Sequence, residues 1–243
     1  METKTTDYVY DNVIQIEDAE ASRKYLAKIF TWMFVAMGIS AFTAYEFAAN
    51  LELLKYIINP VSGGFTALGY VAIFSPIAFS MVINFGYQRI AYPVMVGIFL
   101  LYAVVIGVSL SLICLIYTAS SIFAVFLTSA LIFGVMAIGG YVTHQDLTKF
   151  GTILYLIFIG AFIAGLVNFF IGSESVSYIL SFVFAATMIG LTAYYVQALK
   201  RIGAGLEYGT DSYKKLVIVG AFTLFTAFIN LFLALLRIFG NRR

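Results

Sequence analysis

The sequence has 243 residues, of which 62% are apolar and only 11% are charged, and its formal net charge is +2 at pH 7. Soluble globular proteins are about 45–50% apolar and about 25% charged, so this composition excludes an ordinary soluble domain and indicates an integral membrane protein. The nearly neutral net charge also gives no reason to expect nucleic-acid binding.

Long runs without charged residues divide the sequence into candidate membrane-spanning helices. A spanning helix needs about 20 predominantly apolar residues, and a charge at its centre costs about 2.5–3.5 kcal/mol. The run between Arg89 and Asp146 is long enough for two spans, with a break predicted at residues 117–121. We therefore predict an all-α membrane protein with seven spans, near residues 26–48, 64–86, 91–113, 119–141, 149–171, 177–199 and 216–238.

The first 22 residues are predicted to be a polar, acid-leaning N-terminal tail, and residues 23–243 a single membrane domain. The predicted loops are short, and no linker separates two apolar blocks. The tail lacks the compact apolar region and the small-residue cleavage site of a signal peptide, so we expect the first span to remain in the mature protein.

The distribution of Lys and Arg predicts the orientation in the membrane. Ten of the 14 lie on the N-terminal side of the seven predicted spans and four on the other side. Because cytoplasmic loops carry an excess of these residues, the N-terminus is predicted to be cytoplasmic. Three of the four exceptions are Arg237, Arg242 and Arg243, so the last span is the one expected to be re-entrant or to return its tail to the cytoplasm.

Small residues recur at intervals of four along three of the predicted spans. Such residues let helix backbones approach closely in a membrane, and we predict packing seams at these positions. The three groups are Ala36 with Ser40 and Ala44, Gly107 with Ser111, and Ala161 with Gly165.

Several short motifs occur in an order that is typical of one family of membrane proteins. They are YTASSI, GGYVTHQDL, GLVNFF, GLTAYYVQALK and FINLFLALLRIFG, and they extend from the end of the third predicted span to the C-terminus. On these motifs the sequence resembles the Bax inhibitor-1 family, which includes bacterial members. The resemblance implies a seven-helix membrane fold in which six helices wrap around the last one. It also implies a calcium leak that is linked to suppression of cell death.

In bacterial relatives, two aspartates on the last two helices act as a pH-sensitive latch. The resemblance places the first latch position at Tyr195 and the second at Ala227. Neither residue supplies a carboxylate, and an unperturbed phenol titrates only near pH 10. The resemblance therefore implies the family's fold for this chain, but it does not imply the pH-gated calcium mechanism, because both latch aspartates are replaced.

Polar residues on the last two predicted spans are candidates for a pathway or a gate. Asn230 and Arg237 are seven residues apart and share a helix face. They either line a pathway or serve as an interhelical amide and a cation that reaches the membrane interface. Tyr194, Gln197 and Arg201 follow one face of the sixth predicted span, where an interfacial aromatic belt would explain the tyrosine equally well.

Four further polar residues are candidates elsewhere. Glu46 is an acid among apolar neighbours, either a cation or proton site or a residue that has reached the interface. Asn168 is expected to join helices rather than to bind an ion. Arg89 ends the second predicted span, and in relatives a basic residue near this position can pair with a latch aspartate. Because Tyr195 replaces that aspartate here, the pair could at most become a cation–π or phenol contact. His144 is a surface pH sensor or a solvated loop residue.

The sequence contains no recognisable nucleophile, metal-ligand cluster or phosphate-binding loop. We therefore expect no enzymatic activity, no cofactor and no metal centre, and we expect the lone Cys114 to be an apolar filler.

Together these observations predict a multi-pass protein of the bacterial inner membrane that provides or regulates a slow cation leak, with calcium as the candidate ion. The alternative is a non-conducting protein that binds another membrane protein, such as a quality-control protease, as the resemblance to some bacterial relatives also implies. In either case the lipid bilayer is its immediate partner.

Overall fold

The computed structural model describes residues 4–59 and 64–243. The regular secondary-structure elements within these ranges are all helices. In chain order they are α1 (Lys4–Ala49), α2 (Leu51–Leu54), α3 (Ala67–Gly86), α4 (Tyr92–Ile116), α5 (Ala119–Val142), α6 (Thr148–Ile171), α7 (Glu174–Ala204) and α8 (Asp211–Phe239).

Six helical segments in the described residues are long and apolar enough to cross a membrane. They are Ala19–Ala49 within α1, together with the whole of α4, α5, α6, α7 and α8. Each overlaps one of the seven predicted spans, and the all-helical architecture is confirmed. The second predicted span corresponds to α3, which contains a shorter apolar stretch, Phe74–Ile83. The polar tail is continuous with the first span, because α1 begins at Lys4.

Local sequence explains where several of these helices begin and end. The hydroxyl groups of Thr118, Ser173 and Thr210 cap α5, α7 and α8 by accepting backbone N–H groups of the first turn, as N-cap residues do. Pro93 lies in the first turn of α4, where its missing N–H carries no penalty. Gly172 ends α6 with a φ of 74°, a left-handed conformation that favours glycine.

The last helix lies at the centre of the bundle. Its main packing partners are α1, α4, α5 and α7, whereas α3 packs mainly on α4, and α6 mainly on α7. The predicted central position of the last helix therefore agrees with the structure, but four helices rather than six form the main packing around it. Aromatic rings contribute to these contacts, including Tyr102 with Phe222 at 4.8 Å and Phe133 with Phe228 at 5.6 Å between ring centroids.

The predicted small-residue seam forms between α1 and α4. The Ser40 hydroxyl donates a hydrogen bond to the Ala103 carbonyl over 2.6 Å. A methyl group added at Gly107 would lie 2.6 Å from the Ser40 carbonyl oxygen. The expected seam at Gly165 is wrong, because a methyl group there would meet nothing within 4 Å. Gly165 instead lines an open cavity.

The bundle has two ends that differ in charge and in connections. The basic end contains residues 22–28 of α1, the α5–α6 connection and the α7–α8 connection. The C-terminal end contains the α4–α5 and α6–α7 connections together with residues 240–243.

The tail after α8 is fixed at the C-terminal end. The Thr118 amide donates to the Asn241 carbonyl over 3.1 Å, and the Arg243 amide donates to the Ile116 carbonyl over 2.9 Å. The Asn241 amide donates to the Ser121 hydroxyl over 2.9 Å. α8 is one continuous helix that runs from the basic end to this tail and is long and apolar enough to cross a membrane; that the last span is re-entrant or returns its tail to the cytoplasm stays a prediction.

Candidate functional site

A buried amide on α7 holds the α5–α6 connection in place. The Gln197 side chain is only 5% exposed. Its Nε2 donates to the Gln145 carbonyl over 2.7 Å, and its Oε1 accepts the Leu147 amide over 2.9 Å. Both hydrogen-bonding groups of the amide are therefore used to fix a loop backbone. The predicted shared face of Tyr194, Gln197 and Arg201 on α7 is turned towards this loop and α6, since the Tyr194 ring lies against Gly151 of α6.

An ion pair lies next to this amide at the surface of the basic end. Arg201 Nη1 is 2.9 Å from Asp146 Oδ1. The same carboxylate oxygen accepts hydrogen bonds from the Thr148 hydroxyl over 2.6 Å and from the Thr148 amide over 3.0 Å. These Thr148 hydrogen bonds, followed by Arg201, lower the pKa of Asp146 to about 2. Asp146 therefore accepts the backbone N–H of the first residue of α6.

Two further contacts at the basic end were not predicted from the sequence. Lys200 Nζ donates to the Tyr141 carbonyl over 2.8 Å and lies 4.7 Å from the Tyr141 ring centroid. The Ser22 hydroxyl donates to the Lys200 carbonyl over 2.9 Å. These bonds tie α1, α5 and α7 together. The sequence signal for them is weak, since a serine, a lysine and a tyrosine near span ends are also typical of ordinary interfacial residues.

The two latch positions lie inside the bundle. Ala227 is 2% exposed within the apolar core. Tyr195 is half-buried, and its ring centroid is 5.7 Å from that of Tyr194. Arg89 is exposed in the α3–α4 connection, and none of the cation–π contacts among the described residues joins it to Tyr195. Neither latch position therefore supplies a carboxylate to the interior of the bundle.

Polar residues follow the less buried face of α8. Thr223, Thr226, Asn230 and Arg237 are separated by three, four and seven residues, a spacing that keeps them on one helix face. Thr226 shares a hydrogen bond of 3.0 Å with the Tyr102 hydroxyl of α4. We call these four residues the α8 polar stripe. The predicted shared face of Asn230 and Arg237 is part of it, whereas Ala227 is turned towards the core.

The stripe reaches a cavity at the C-terminal end of the bundle. This C-terminal cavity has a volume of about 890 Å³ and lies between α4, α6, α7 and α8. Arg237 and Leu233 line it from α8, and Asn168 lines it from α6. The cavity was not predicted, because its walls come from four segments that are far apart in the sequence.

Of the remaining candidate residues, Asn168 lines the C-terminal cavity, whereas Glu46 and His144 lie elsewhere. Glu46 is exposed one turn before the end of α1, which favours its interfacial interpretation over a buried acid. Asn168 is 5% exposed and donates through Nδ2 to the Ser173 carbonyl over 3.0 Å and to the Ser177 hydroxyl over 2.7 Å. It joins α6 to α7 as expected. His144 is exposed in the α5–α6 connection.

Comparisons with known proteins agree with this architecture. Residues 22–243 match the family model described as "Inhibitor of apoptosis-promoting Bax1". The chain is 37% identical over 222 residues to the "Inner membrane protein YbhL" of Escherichia coli K12, which covers 90% of this chain and 92% of that protein.

Two relatives from other bacteria match over a similar length. An uncharacterized protein of Borreliella burgdorferi is 37% identical over 220 residues, which is 90% of this chain and 93% of that protein. An uncharacterized membrane protein of Streptococcus pyogenes serotype M3 is 31% identical over 237 residues, which is 95% of this chain and 98% of that protein. The matches span nearly the whole chain, including the helices that form the core around α8. This multi-pass membrane protein therefore belongs to the Bax inhibitor-1 family.

Proposed function

We propose that this protein provides or regulates a slow cation leak across the bacterial inner membrane. The observation that carries this proposal is the α8 polar stripe, which extends from the C-terminal cavity into the bundle on the central helix. In the proposed arrangement α3 also crosses the membrane, which brings the number of spans to seven. The N-terminus is cytoplasmic, and the C-terminal end of the bundle faces the opposite side. The inner-membrane location rests on the name of the Escherichia coli relative.

The chemistry of the stripe suits a weak and slow passage of cations. Polar groups within a membrane are expensive, and in such proteins they commonly mark ion pathways. The hydroxyl groups of Thr223 and Thr226 and the amide of Asn230 offer oxygen ligands, the type that hard cations such as calcium prefer. These three groups carry no charge, and Arg237 at the cavity end of the stripe repels cations, so a divalent cation would enter slowly and be held only loosely.

The contacts at the basic end support a closed resting state in this proposal. The Gln197 amide, the Asp146–Arg201 ion pair and the Lys200–Tyr141 contact draw the α5–α6 connection onto α7. A cation that entered from the C-terminal cavity would have to pass this end. Slow opening of these contacts would then limit the leak. No catalysis or cofactor enters this proposal.

Flux measurements on the purified protein test the leak directly. Calcium and proton entry into protein-containing liposomes is compared with entry into empty vesicles between pH 5 and pH 8. The variant Asn230→Leu removes the amide from the stripe and should slow the flux severalfold. The matched control is Ser129→Ala, because the Ser129 hydroxyl bonds only the Val125 carbonyl of its own helix. Native flux equal to that of empty vesicles would overturn the proposal.

A second function is favoured by the burial of Ala227 in an apolar core, where relatives carry a latch aspartate. In this alternative the protein does not conduct and instead binds another membrane protein, such as a quality-control protease. The test is in-membrane crosslinking of the native protein, followed by identification of the recovered proteins. A single partner recovered repeatedly, together with no flux in liposomes, would favour this alternative.

The double variant Tyr195→Asp plus Ala227→Asp separates the two functions further. If the native protein is silent and the double variant leaks in a pH-dependent way, the fold can conduct but has lost its latch chemistry, and the binding function gains. If the native protein already leaks, the two carboxylates are not needed for conduction.

A further inference from the structure

The C-terminal cavity has one polar wall and one apolar wall. Its polar wall lies towards the end of the bundle and comes from Asn168, Glu174, Ser175, Ser177, Arg237 and Arg242. Its apolar wall includes Ile113 of α4, Leu180 and Phe184 of α7 and Leu233 of α8. Such a division suits a ligand with a polar head and a hydrocarbon tail.

The charges on the polar wall favour an anionic head. Arg237 and Arg242 carry two positive charges, and Glu174 carries one negative charge. Arg242 Nη1 lies 3.6 Å from Glu174 Oε1, which is too long for a well-formed charged hydrogen bond. Arg237 is exposed and, within the described part of the chain, makes no ion pair. A guanidinium group offers several N–H donors in a geometry that matches phosphate oxygens.

Asn168 adds an unsatisfied polar atom to the same wall. Its Nδ2 faces the Ser173 carbonyl, which can only accept a hydrogen bond, so the orientation of the amide is fixed. Its Oδ1 is buried and has no hydrogen-bond partner. Buried polar atoms in folded proteins usually have a partner. This oxygen atom therefore still lacks a hydrogen-bond donor, which the hydroxyl groups of a glycerol headgroup can supply and an unprotonated phosphate cannot.

We propose that the C-terminal cavity binds an anionic phospholipid, with the phosphate next to Arg237 and an acyl chain along the wall formed by Phe184, Leu233 and Ile113. The cavity lies at one end of the membrane-spanning helices, where lipid headgroups are found. A free phosphate ion would use only the polar wall and leave the apolar wall without an occupant. The cation leak is proposed to begin in this same cavity, but the test below measures lipid retention and not flux, so either proposal can fail without the other.

The test measures lipid retention by the purified full-length protein. Protein from nanodiscs that contain equal amounts of phosphatidylglycerol and phosphatidylcholine is analysed by native mass spectrometry. The native protein should retain phosphatidylglycerol in preference to phosphatidylcholine. Arg237→Gln should weaken this retention about five- to tenfold, because each basic residue near an anionic lipid surface contributes about that factor. The charge-matched control is Arg23→Gln, since Arg23 is exposed at the opposite end.

A second variant fills the apolar wall without changing the charge. Gly165 lines the cavity, and a side chain there would meet nothing within 4 Å of its Cβ atom. Gly165→Phe should therefore also displace the lipid while the bundle still folds, which a thermal melt in detergent can verify.

Three results would overturn the proposal. They are equal retention of the two lipids, unchanged retention in both variants, and displacement of the bound lipid by millimolar inorganic phosphate alone. The last result would assign the polar wall to a free anion instead.

Discussion

Gly140 of α5 lies directly against the backbone of Ala193 of α7, so closely that a side-chain carbon at residue 140 would overlap the Ala193 carbonyl group. The neighbouring Gly139 has open space where its side chain would be. Two consecutive glycines therefore differ completely in what they contribute. Gly140 sets the distance between two helices, whereas Gly139 does not.

Gly140→Ala should destabilise the bundle by about 1–3 kcal/mol, the usual range for overpacking a well-packed core. The obstacle is backbone rather than a flexible side chain, so it cannot rotate away. The free energy of unfolding in mixed micelles measures the effect. Gly139→Ala is the control and should be neutral or slightly stabilising, because alanine favours a helix over glycine. Equal effects of the two changes would contradict the close approach of α5 and α7.

Gln197→Leu should loosen the α5–α6 connection. The change removes both hydrogen bonds of the buried amide and leaves the Leu147 amide and the Gln145 carbonyl to be solvated. We expect a loss of about 1–3 kcal/mol in unfolding free energy and faster hydrogen exchange at Leu147. The control is Gln145→Ala, since only the backbone carbonyl of Gln145 meets the Gln197 side chain. Unchanged exchange at Leu147 would show that the amide does not hold the loop.

The pH dependence of the Asp146–Arg201 pair follows from the lowered pKa of Asp146, which is about 2 against an ordinary value of about 3.9. A lowered folded-state pKa stabilises the folded protein above the ordinary value, and that contribution is lost as pH falls from about 4 to about 2. The contribution should therefore be constant between pH 5 and pH 8.

Thermal melts of the native protein and Asp146→Asn between pH 3 and pH 8 measure this dependence. The gap between the two melting temperatures should stay level above pH 5 and shrink below pH 4. His144→Ala serves as the control, because it removes the other ionisable side chain of the α5–α6 connection. A step in the gap between pH 5 and pH 8 that persists in the His144→Ala background would refute the assignment.

Removal of residues 241–243 should release the corner between α4 and α5. The Thr118 amide loses its acceptor, the Asn241 carbonyl, and the Ile116 carbonyl loses its donor, the Arg243 amide. Hydrogen exchange at Thr118 should rise by at least tenfold, while exchange in the middle of α5 stays the same. Asn241→Ala is the matched control, because the bonds at this residue come from its backbone. Unchanged exchange at Thr118 after truncation would contradict the described tail contacts.

Sequence reasoning was most successful where the physical signal is local. Charge-free runs of about 20 residues located the long apolar helices, because the cost of burying charge in lipid acts on each segment separately. The seam between Ser40 and Gly107 followed from the spacing of small residues. The motifs around Asn230 indicated a central last helix through family resemblance rather than through composition.

What the sequence could not show are relationships across long separations. Gln197 and Leu147 are 50 residues apart, and nothing in either motif indicates that a span residue would bond a loop backbone. The C-terminal cavity likewise depends on how α6 and α7 sit relative to α4 and α8. Gly165 shows the limit clearly, since its spacing from Ala161 predicted a seam where the packing of neighbouring helices leaves open space.

The central position of α8 also constrains the order in which the protein can be made. The helix that α1, α4, α5 and α7 pack around follows all four of them in the sequence, so it is synthesised after them, and of the six long apolar helices it is the most deeply buried. The earlier helices must therefore enter the membrane before their common packing surface exists. Their packing around α8 can form only after α8 itself has been made, and so can the contacts of residues 241–243 with the corner between α4 and α5. A chain that stops before residue 211 would keep the packing of α1 on α4 and of α5 and α6 on α7, but it would lack the helix that joins these groups.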